Sequence, residues 1–341
     1  MSQEDFPVEF VLESIESIMP PSNQPKVLLF DIGGVCMAVT NSVFFGDKRA
    51  CHCTFQVSPK ISLQKSLQYP PLKVVSPFQA ILDHEIAHGI PPGWINHSIS
   101  RTSPNGFWHR LERGEIPIDA SFFRGFTSDL HNSSLWSTFY TTSRQNDPSL
   151  PKEIPPLPKI DGEEVFWKMM SKSRDFDPWM YPALQKLKES GRFILSALSN
   201  TVIFPTNHPY ANPPSEKDIR RIFDVFVSSA HVGLRKPSPE IYALALEMVN
   251  EYAKANRDTE QGKRLGWKEG VRAEEVVFLD DIGENLKAGK KAGFRTIRVH
   301  LGRAFEAVDE LEDVTGMQLA GEHPRIAVKP VVRKKEEVAK L

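Results

Sequence analysis

Short apolar runs alternate with amphipathic stretches over the second half of the chain. Runs such as RFILSALSN, FDVFVSS, EEVVFLDD and FRTIRVH have the length and apolar content of buried strands. Helical patterns such as MYPALQKLKESG, SPEIYALALEMVNEYAKA and GENLKAGKKAG separate these runs. The run VLLF at Val27–Phe30, bounded by Pro25 and a glycine pair, reads as one more buried strand. This alternation predicts βαβ units, and therefore an α/β fold with a Rossmann-like, three-layer parallel sheet.

Polar residues stand where the predicted strands end. They are Asp31, Ser199, Asn200, Asp280 and Asp281. Because ligands of open α/β sheets bind outside the carboxyl ends of the strands, we expect these side chains to share one edge and to form the site. Gly33 and Gly34 follow the first of them and would let the backbone approach a ligand closely.

The pattern also predicts how the chain is divided. The predicted parts are an N-terminal tail at 1–25, the first core strand at 26–37, an irregular insert at 38–73, a mainly helical cap at 74–171 with a Pro-rich connector at 145–161, the rest of the core at 172–320, and a disordered C-terminal tail at 321–341. In this arrangement the cap lies over the strand edge that carries the polar residues.

The insert at 38–73 shows neither sustained helical nor strand periodicity. A structureless stretch of this length inside a compact domain is unusual. It is either a real surface loop or translated non-coding sequence, and the second interpretation is favoured because its removal would join GGVCM directly to VVSPFQAIL.

Composition narrows the class of protein. The 341 residues are 40% hydrophobic and 25% charged, which is typical of a globular protein of one large or two modest domains. Lys plus Arg (42) nearly balances Asp plus Glu (43), so the charge favours neither nucleic acid nor an anionic membrane as a partner. Three cysteines, Cys36, Cys51 and Cys53, cannot build a disulfide framework.

Acidic side chains at the predicted edge have a chemical rationale. Asp31 can serve as a nucleophile toward phosphorus, provided that a cation relieves the repulsion between carboxylate and phosphate. Asp280 and Asp281 place two more acids at the same edge, and unneutralised carboxylates at close range are unfavourable. Mg²⁺ accepts one or two carboxylates together with phosphate oxygen and water, so the sequence predicts a magnesium site.

Other residues of the set are suited to phosphate. Ser199 and Asn200 offer hydroxyl, amide and backbone donors for phosphate oxygens. Lys236, in GLRKPSPEIY just before a helix, supplies positive charge that would hold Asp31 and phosphate together. A small-molecule phosphate is therefore the expected substrate.

The ordered segments FDIGGV, ALSNT, GLRKPSPEIY and VVFLDDIGENLKAGKKAGF resemble the four motifs of the haloacid dehalogenase superfamily. Within it, FLDDIGENLKAGKKAGF, DELEDVTGMQL and WHRLERGEI are most similar to the N-terminal phosphatase domain of soluble epoxide hydrolases and to acyl-CoA dehydrogenase-associated domains. The resemblance implies that Asp31 is the nucleophile, Ser199 the phosphate-binding hydroxyl and Lys236 the charge stabiliser. It also implies that Asp280 binds Mg²⁺ and that Asp281 is a supporting acid.

Gly33 departs from the family pattern. The resemblance implies a second aspartate at this position, which protonates the leaving group and gives its backbone carbonyl to the metal. Here the carbonyl is kept and the acid is lost. Three outcomes stay open: a phosphatase for good leaving groups, a phosphatase that borrows an acid, with His84, His88 and Glu115 as candidates, or a protein that binds phosphate with little turnover. Dehalogenases of the superfamily also lack this acid, and a dehalogenase-like hydrolase is the alternative activity.

A competing motif lies in the predicted cap. His84-Glu85-Ile86-Ala87-His88 matches H-E-x-x-H, which puts two histidines on one helix face beside a glutamate and is typical of zinc peptidases. The third ligand of the extended motif is missing, because Pro91 and Trp94 occupy the positions of its glycine and histidine. Glu112 and Glu115 lie downstream as candidate third ligands. A zinc peptidase is therefore a remote alternative.

Both chain ends bear on location. The acidic N-terminus lacks the basic and apolar regions of a signal peptide, and no apolar run is long enough to span a membrane. The terminal Ala339-Lys340-Leu341 resembles the S-K-L peroxisomal address, which implies a peroxisomal import receptor as partner. The expected location is cytoplasmic, peroxisomal or both. The pattern predicts no oligomeric state.

Overall fold

The computed structural model describes residues 24–38, 77–172 and 174–329. The greater part of the irregular insert at 38–73, most of the N-terminal tail and the terminal Ala339-Lys340-Leu341 lie outside the described residues.

Five parallel strands form the central sheet, in the order β5-β4-β1-β6-β7. The strands of this sheet are β1 (Val27–Phe30), β4 (Ile194–Ser199), β5 (Val225–Ser228), β6 (Val276–Asp280) and β7 (Arg295–Arg298). The first strand of the chain is central, and Phe30 pairs with Ala197 on one side and with Leu279 on the other. The predicted α/β class with a parallel sheet is confirmed.

Both faces of the sheet are covered by helices, as expected of parallel strands. The helices of the core are α7 (Met180–Ser190), α8 (Ser229–Val232), α9 (Pro239–Asn256), α10 (Glu260–Arg264), α11 (Gly283–Lys291) and α12 (Ala304–Thr315). Short 3₁₀ turns lie at Ser215–Lys217, Ile219–Ile222, Trp267–Glu269 and Ala273–Glu275. Successive residues of β1 point to opposite faces, so Leu28 packs into the cluster of α7 and α12 while Leu29 packs into that of α9.

Residues 77–172, which we call the helical segment, have a hydrophobic core of their own. The helices are α1 (Pro77–His88), α2 (Trp94–Arg101), α3 (Phe107–Glu112), α4 (Ala120–Leu130), α5 (Ser133–Asn146) and α6 (Gly162–Lys172). Aromatic side chains dominate this core: the rings of Phe122 and Phe126 stack, and Phe166 meets Phe122 edge-on. Asp119 begins α4 by accepting hydrogen bonds from the backbone N–H groups of Ser121 and Phe122.

The chain leaves the core and returns to it through a two-stranded ribbon. Its strands, β2 (Met37–Ala38) and β3 (Asp175–Phe176), pair in antiparallel fashion. The Asp177 N–H also donates to the Cys36 carbonyl, at 3.0 Å. The helical segment is therefore connected to the sheet next to the end of β1.

Candidate functional site

Asp31 lies at the carboxyl end of the central strand and is 6% exposed. Its N–H donates to the Leu279 carbonyl at 2.9 Å, which continues the ladder between β1 and β6 by one residue. Its Oδ1 accepts a hydrogen bond from the Ile32 N–H at 2.7 Å. The Cys36 thiol donates to the Asp31 carbonyl at 3.1 Å. These hydrogen bonds hold the Asp31 backbone and one of its carboxylate oxygens in place.

Lys236 reaches the same point from the loop before α9. Its Nζ lies 2.9 Å from Asp31 Oδ1 and 2.6 Å from Asp280 Oδ2, and the residue is 1% exposed. Burial alone would lower the pKa of this ammonium, but the two carboxylates outweigh burial and the pKa is raised. The two acids beside Lys236 therefore favour its charged form.

Asp280 and Asp281 complete the cluster from the end of β6. Asp280 accepts hydrogen bonds from the Ile282 N–H at 2.8 Å and from the Asn285 amide at 3.1 Å. Asp281 Oδ1 is buried and has no hydrogen-bond partner among the described residues. Burial, followed by repulsion from Asp31, raises the pKa of both carboxyls.

One ligand oxygen from each of Asp31, Asp280 and Asp281 lies within 4.8 Å of the others. Three converging oxygen donors with a single lysine leave negative charge in excess, and hard cations such as Mg²⁺ bind oxygen-only sites of this kind. The Oδ1 atom of Asp281 is a metal-ligand atom that no group in the described part of the chain uses. These residues fit a bound magnesium ion.

The close approach of Asp281 requires a glycine at position 34 but not at position 33. Gly34 has φ +79, and a Cβ there would lie 2.8 Å from Asp281 Oδ2. A Cβ on Gly33 would meet nothing within 4 Å. The acid that the family pattern places at position 33 would therefore find space. The Gly33 carbonyl as a metal ligand stays a prediction.

Ser199 and Asn200 end the neighbouring strand β4. Ser199 lies two residues beyond Ala197, the partner of Phe30, and so at the same edge as Asp31. The Asn200 amide is bonded on both sides to the Lys236 backbone, accepting from its N–H at 2.8 Å and donating to its carbonyl at 3.1 Å. Asn200 thus positions the lysine, and a phosphate contact from either residue stays a prediction.

A contact that sequence reasoning missed joins the helical segment to this edge. Glu112, at the end of α3, forms a partly buried ion pair with Arg235, whose Nη2 and Nε lie 2.8 and 2.9 Å from Glu112 Oε2. Ser229 Oγ donates to the Glu112 carbonyl at 2.6 Å. Arg235 directly precedes Lys236, so α3 is anchored beside the lysine. The sequence shows that Arg235 is the neighbour of Lys236, but its partner Glu112 lies 123 residues away and could not be identified.

The H-E-x-x-H motif lies on α1, with its glutamate in a structural role. Glu85 is buried and accepts hydrogen bonds from the N–H groups of Gly93 at 2.7 Å and Ile95 at 2.8 Å. It therefore caps the start of α2, and burial raises its pKa to about 7. A glutamate committed to two backbone donors does not serve as the general base of a peptidase.

The two candidate third ligands of this motif, Glu112 and Glu115, have other partners. Glu112 pairs with Arg235, and Glu115 pairs with Arg113, whose Nε lies 2.5 Å from Glu115 Oε1. The residue that completes a cluster with the two histidines is Glu164 of α6. Sequence reasoning did not identify it, because the packing of α6 on α1 brings together residues about 80 positions apart.

Comparison with known proteins identifies the family. A family model described as haloacid dehalogenase-like hydrolase matches residues 25–293. The chain therefore belongs to the haloacid dehalogenase-like hydrolases, and the predicted resemblance is confirmed.

Among curated proteins, the chain is 30% identical over 235 residues to bifunctional epoxide hydrolase 2 of Sus scrofa, which covers 67% of this chain and 34% of that protein. It is 25% identical over 249 residues to acyl-CoA dehydrogenase family member 10 of Mus musculus, covering 72% of this chain and 18% of that protein. The chain spans about a third or less of the length of these relatives.

Similar solved structures include a HAD family enzyme of Bacteroides thetaiotaomicron in complex with magnesium and inorganic phosphate. That match has a TM-score of 0.42 and 16% identity, and covers 83% of this chain and 98% of the other. A dehalogenase structure matches with a TM-score of 0.41 and 15% identity, covering 81% of this chain and 85% of the other. Among the described helices, none combines the length and the apolar character needed to cross a bilayer.

Proposed function

We propose that this hydrolase is a Mg²⁺-dependent phosphomonoesterase acting on a small or lipid-like phosphate. One observation carries the proposal: three carboxylates converge at the strand edge around a single buried lysine, and one of their oxygens, Asp281 Oδ1, has no protein partner in the described part of the chain. Such a site requires a cation and accepts an anion once the cation is bound.

In this reaction Asp31 attacks phosphorus and displaces the alkoxide or phenoxide, which gives an aspartyl-phosphate on Asp31. Water then attacks phosphorus, and phosphate leaves with the Asp31 carboxylate restored. Asp31 Oδ1 is already bound to Ile32 N–H and Lys236, so the other oxygen is the attacking atom. Lys236 holds nucleophile and phosphate together, and Ser199 donates to a phosphate oxygen. Bound Mg²⁺ would neutralise the repulsion between carboxylate and phosphate.

The pair Asp280 and Asp281 favours a phosphate ester over an organohalide as the substrate. Dehalogenation through an aspartyl ester needs no metal, so two further acids beside the nucleophile would only repel it. The relatives named as epoxide hydrolases and acyl-CoA dehydrogenases are compatible with a lipid or acyl phosphate as substrate. The helical segment would act as a cap that selects it.

A second candidate is a phosphate-binding protein with little turnover. Gly33 favours it, because a positioned general acid contributes about 10²–10⁴-fold and none is present at this position. A substrate with a good leaving group distinguishes the two, since it departs without a proton. For location we propose the cytoplasm, the peroxisome or both.

The test is hydrolysis of p-nitrophenyl phosphate with and without Mg²⁺. We expect Mg²⁺-dependent turnover that Asp31→Asn lowers on the order of 10³-fold or more. Asp313→Asn, an exposed change on α12, is the matched control and should leave the rate unchanged. Turnover that ignores Mg²⁺ or Asp31→Asn would refute the phosphatase, and phosphate binding without any turnover would support the second candidate.

A further inference from the structure

A second cluster of metal-ligating side chains joins α1 to α6, away from the strand ends. It consists of His84 and His88, one turn apart on α1, and Glu164 of α6. One ligand atom from each lies within 4.8 Å of the others. The two imidazole rings stack with centroids 4.1 Å apart, and His84 Nδ1 lies 4.0 Å from Glu164 Oε1. Three candidate ligand atoms therefore lie close together between the two helices.

His84 is unsatisfied in this position. The residue is 2% exposed, and neither ring nitrogen has a hydrogen-bond partner in the part of the chain that the structure describes. A buried polar group without a hydrogen-bond partner is unfavourable, so a side chain of this kind is suited to bind a ligand. His97 and His109 also have an unpartnered ring nitrogen, but neither belongs to a cluster of metal-ligating side chains in the described residues.

His88 is held in the form that binds a metal. Its Nδ1 lies 2.8 Å from the His84 carbonyl oxygen, and a carbonyl only accepts, so Nδ1 carries the proton. The lone pair is then on Nε2. Metal-ligating histidines commonly donate their second ring N–H to a backbone carbonyl in this way, because the contact fixes the tautomer and the ring orientation.

We propose that His84, His88 and Glu164 bind Zn²⁺, and that the ion fastens α1, the first helix of the helical segment, to α6, the last. Two imidazoles and one carboxylate suit zinc rather than Mg²⁺, which prefers the oxygen-only cluster at the strand ends. The ion has a structural role here, since the glutamate of the motif, Glu85, caps α2 and is not free to activate water.

Lys168 competes with the ion for Glu164. Its Nζ lies 2.6 Å from Glu164 Oε1, one helical turn along α6, and its side chain is 47% exposed. An exposed lysine can move away into solvent at little cost when a divalent cation arrives. Removal of this lysine should therefore tighten zinc binding, an effect that a cluster with a purely packing role would not show.

The experiment is titration of the metal-stripped full chain with Zn²⁺ against a chromophoric chelator, together with Co²⁺ absorption as a probe of coordination geometry. We expect one equivalent of Zn²⁺ and a tetrahedral Co²⁺ spectrum. His88→Ala and Glu164→Gln, both at exposed positions, should weaken Zn²⁺ binding at least about tenfold. Lys168→Met should tighten it about threefold or more.

Two controls separate this site from its surroundings and from the strand edge. Glu163→Gln changes the exposed neighbour on α6 and should leave the affinity unchanged, as should Asp31→Asn. The thermal midpoint in EDTA verifies that each variant is folded. Affinity that is insensitive to His88→Ala and Glu164→Gln, that falls in Asp31→Asn, or that does not rise in Lys168→Met would overturn the proposal.

Discussion

Acids at the strand ends differ from acids at the helix starts in the groups that neutralise or hydrogen-bond their carboxylates. At the helix starts each acid has two backbone donors: Glu85 accepts from Gly93 and Ile95, and Asp177 accepts from Trp179 at 2.9 Å and Met180 at 2.8 Å. At the strand ends the acids share one lysine and crowd one another. An acid whose oxygens are satisfied by backbone donors is part of the scaffold. The strand-end carboxylates instead repel one another and leave one oxygen, Asp281 Oδ1, without a partner among the described residues, which suits them to bind a ligand.

The variant Lys236→Met tests this contrast with the largest expected effect. Removal of one partner from a buried ion pair leaves uncompensated charge, so we expect the free energy of unfolding to fall by about 3–5 kcal/mol and the hydrolysis of p-nitrophenyl phosphate to be lost. Chemical denaturation measures the first effect. Lys188→Met, which removes the exposed pair with Asp224, should cost only about 0–1 kcal/mol. Equal losses in the two variants would contradict the buried role of Lys236.

Gly33→Asp sharpens the contrast by adding a further acid to the strand edge. The position has room for a side chain, so we expect turnover of an alkyl phosphate, whose leaving group needs a proton, to rise by about 10²–10⁴-fold. Hydrolysis of p-nitrophenyl phosphate should rise much less. Gly33→Ala controls for bulk and should change neither rate, while a rise in Gly33→Ala equal to that in Gly33→Asp would disprove the acid's role.

Asp177→Asn tests an acid of the helix-start type. Burial raises the Asp177 pKa from about 4 to about 6, so the folded protein binds the proton more tightly than the unfolded chain. Its contribution to stability is complete below pH 4 and is lost as the pH rises through 6. The unfolding free energy of Asp177→Asn relative to wild type should therefore rise between pH 4 and pH 7, by at most about 3 kcal/mol. Denaturant titrations at both pH values measure it, and a constant difference would contradict the shift.

The smallest expected effect concerns the contact between the helical segment and the strand edge. Glu112→Gln replaces the ion pair with Arg235 by a neutral contact beside Lys236. We expect kcat/KM for p-nitrophenyl phosphate to fall about tenfold, chiefly through kcat, because the lysine is less well positioned. Glu115→Gln alters an exposed pair with Arg113 and should leave the rate within about twofold. A fall confined to KM would indicate that α3 acts on the substrate instead.

The hydrophobic pattern of the sequence predicted the central parallel sheet and the edge at which its acids gather. Val27–Phe30 is a strand with the predicted bounds, because a run buried on both faces has little alternative to a central parallel strand. The gathering of Asp31, Asp280 and Asp281 followed from strand direction alone. Lys236 was placed correctly beside them because a loop before a helix also ends at that edge.

Contacts between distant helices were not predictable in the same way. The partner of Arg235 and the third member of the histidine cluster depend on how α3 and α6 pack, which periodicity does not encode. The role of Glu85 was equally hidden, since a motif shows spacing but not which backbone donors a carboxylate will meet. The contact of the Asn200 amide with the Lys236 backbone was hidden for the same reason.

The ribbon formed by Met37–Ala38 and Asp175–Phe176 has a mechanical consequence. Its two strands are hydrogen-bonded to each other, so the described chain that leaves the sheet after β1 and the chain that returns to it before α7 cannot shift independently at this point. Gly33 forms a β-bridge with Met37, so the ribbon is linked to the loop that follows Asp31. A displacement of β3 would therefore be passed through β2 to that loop.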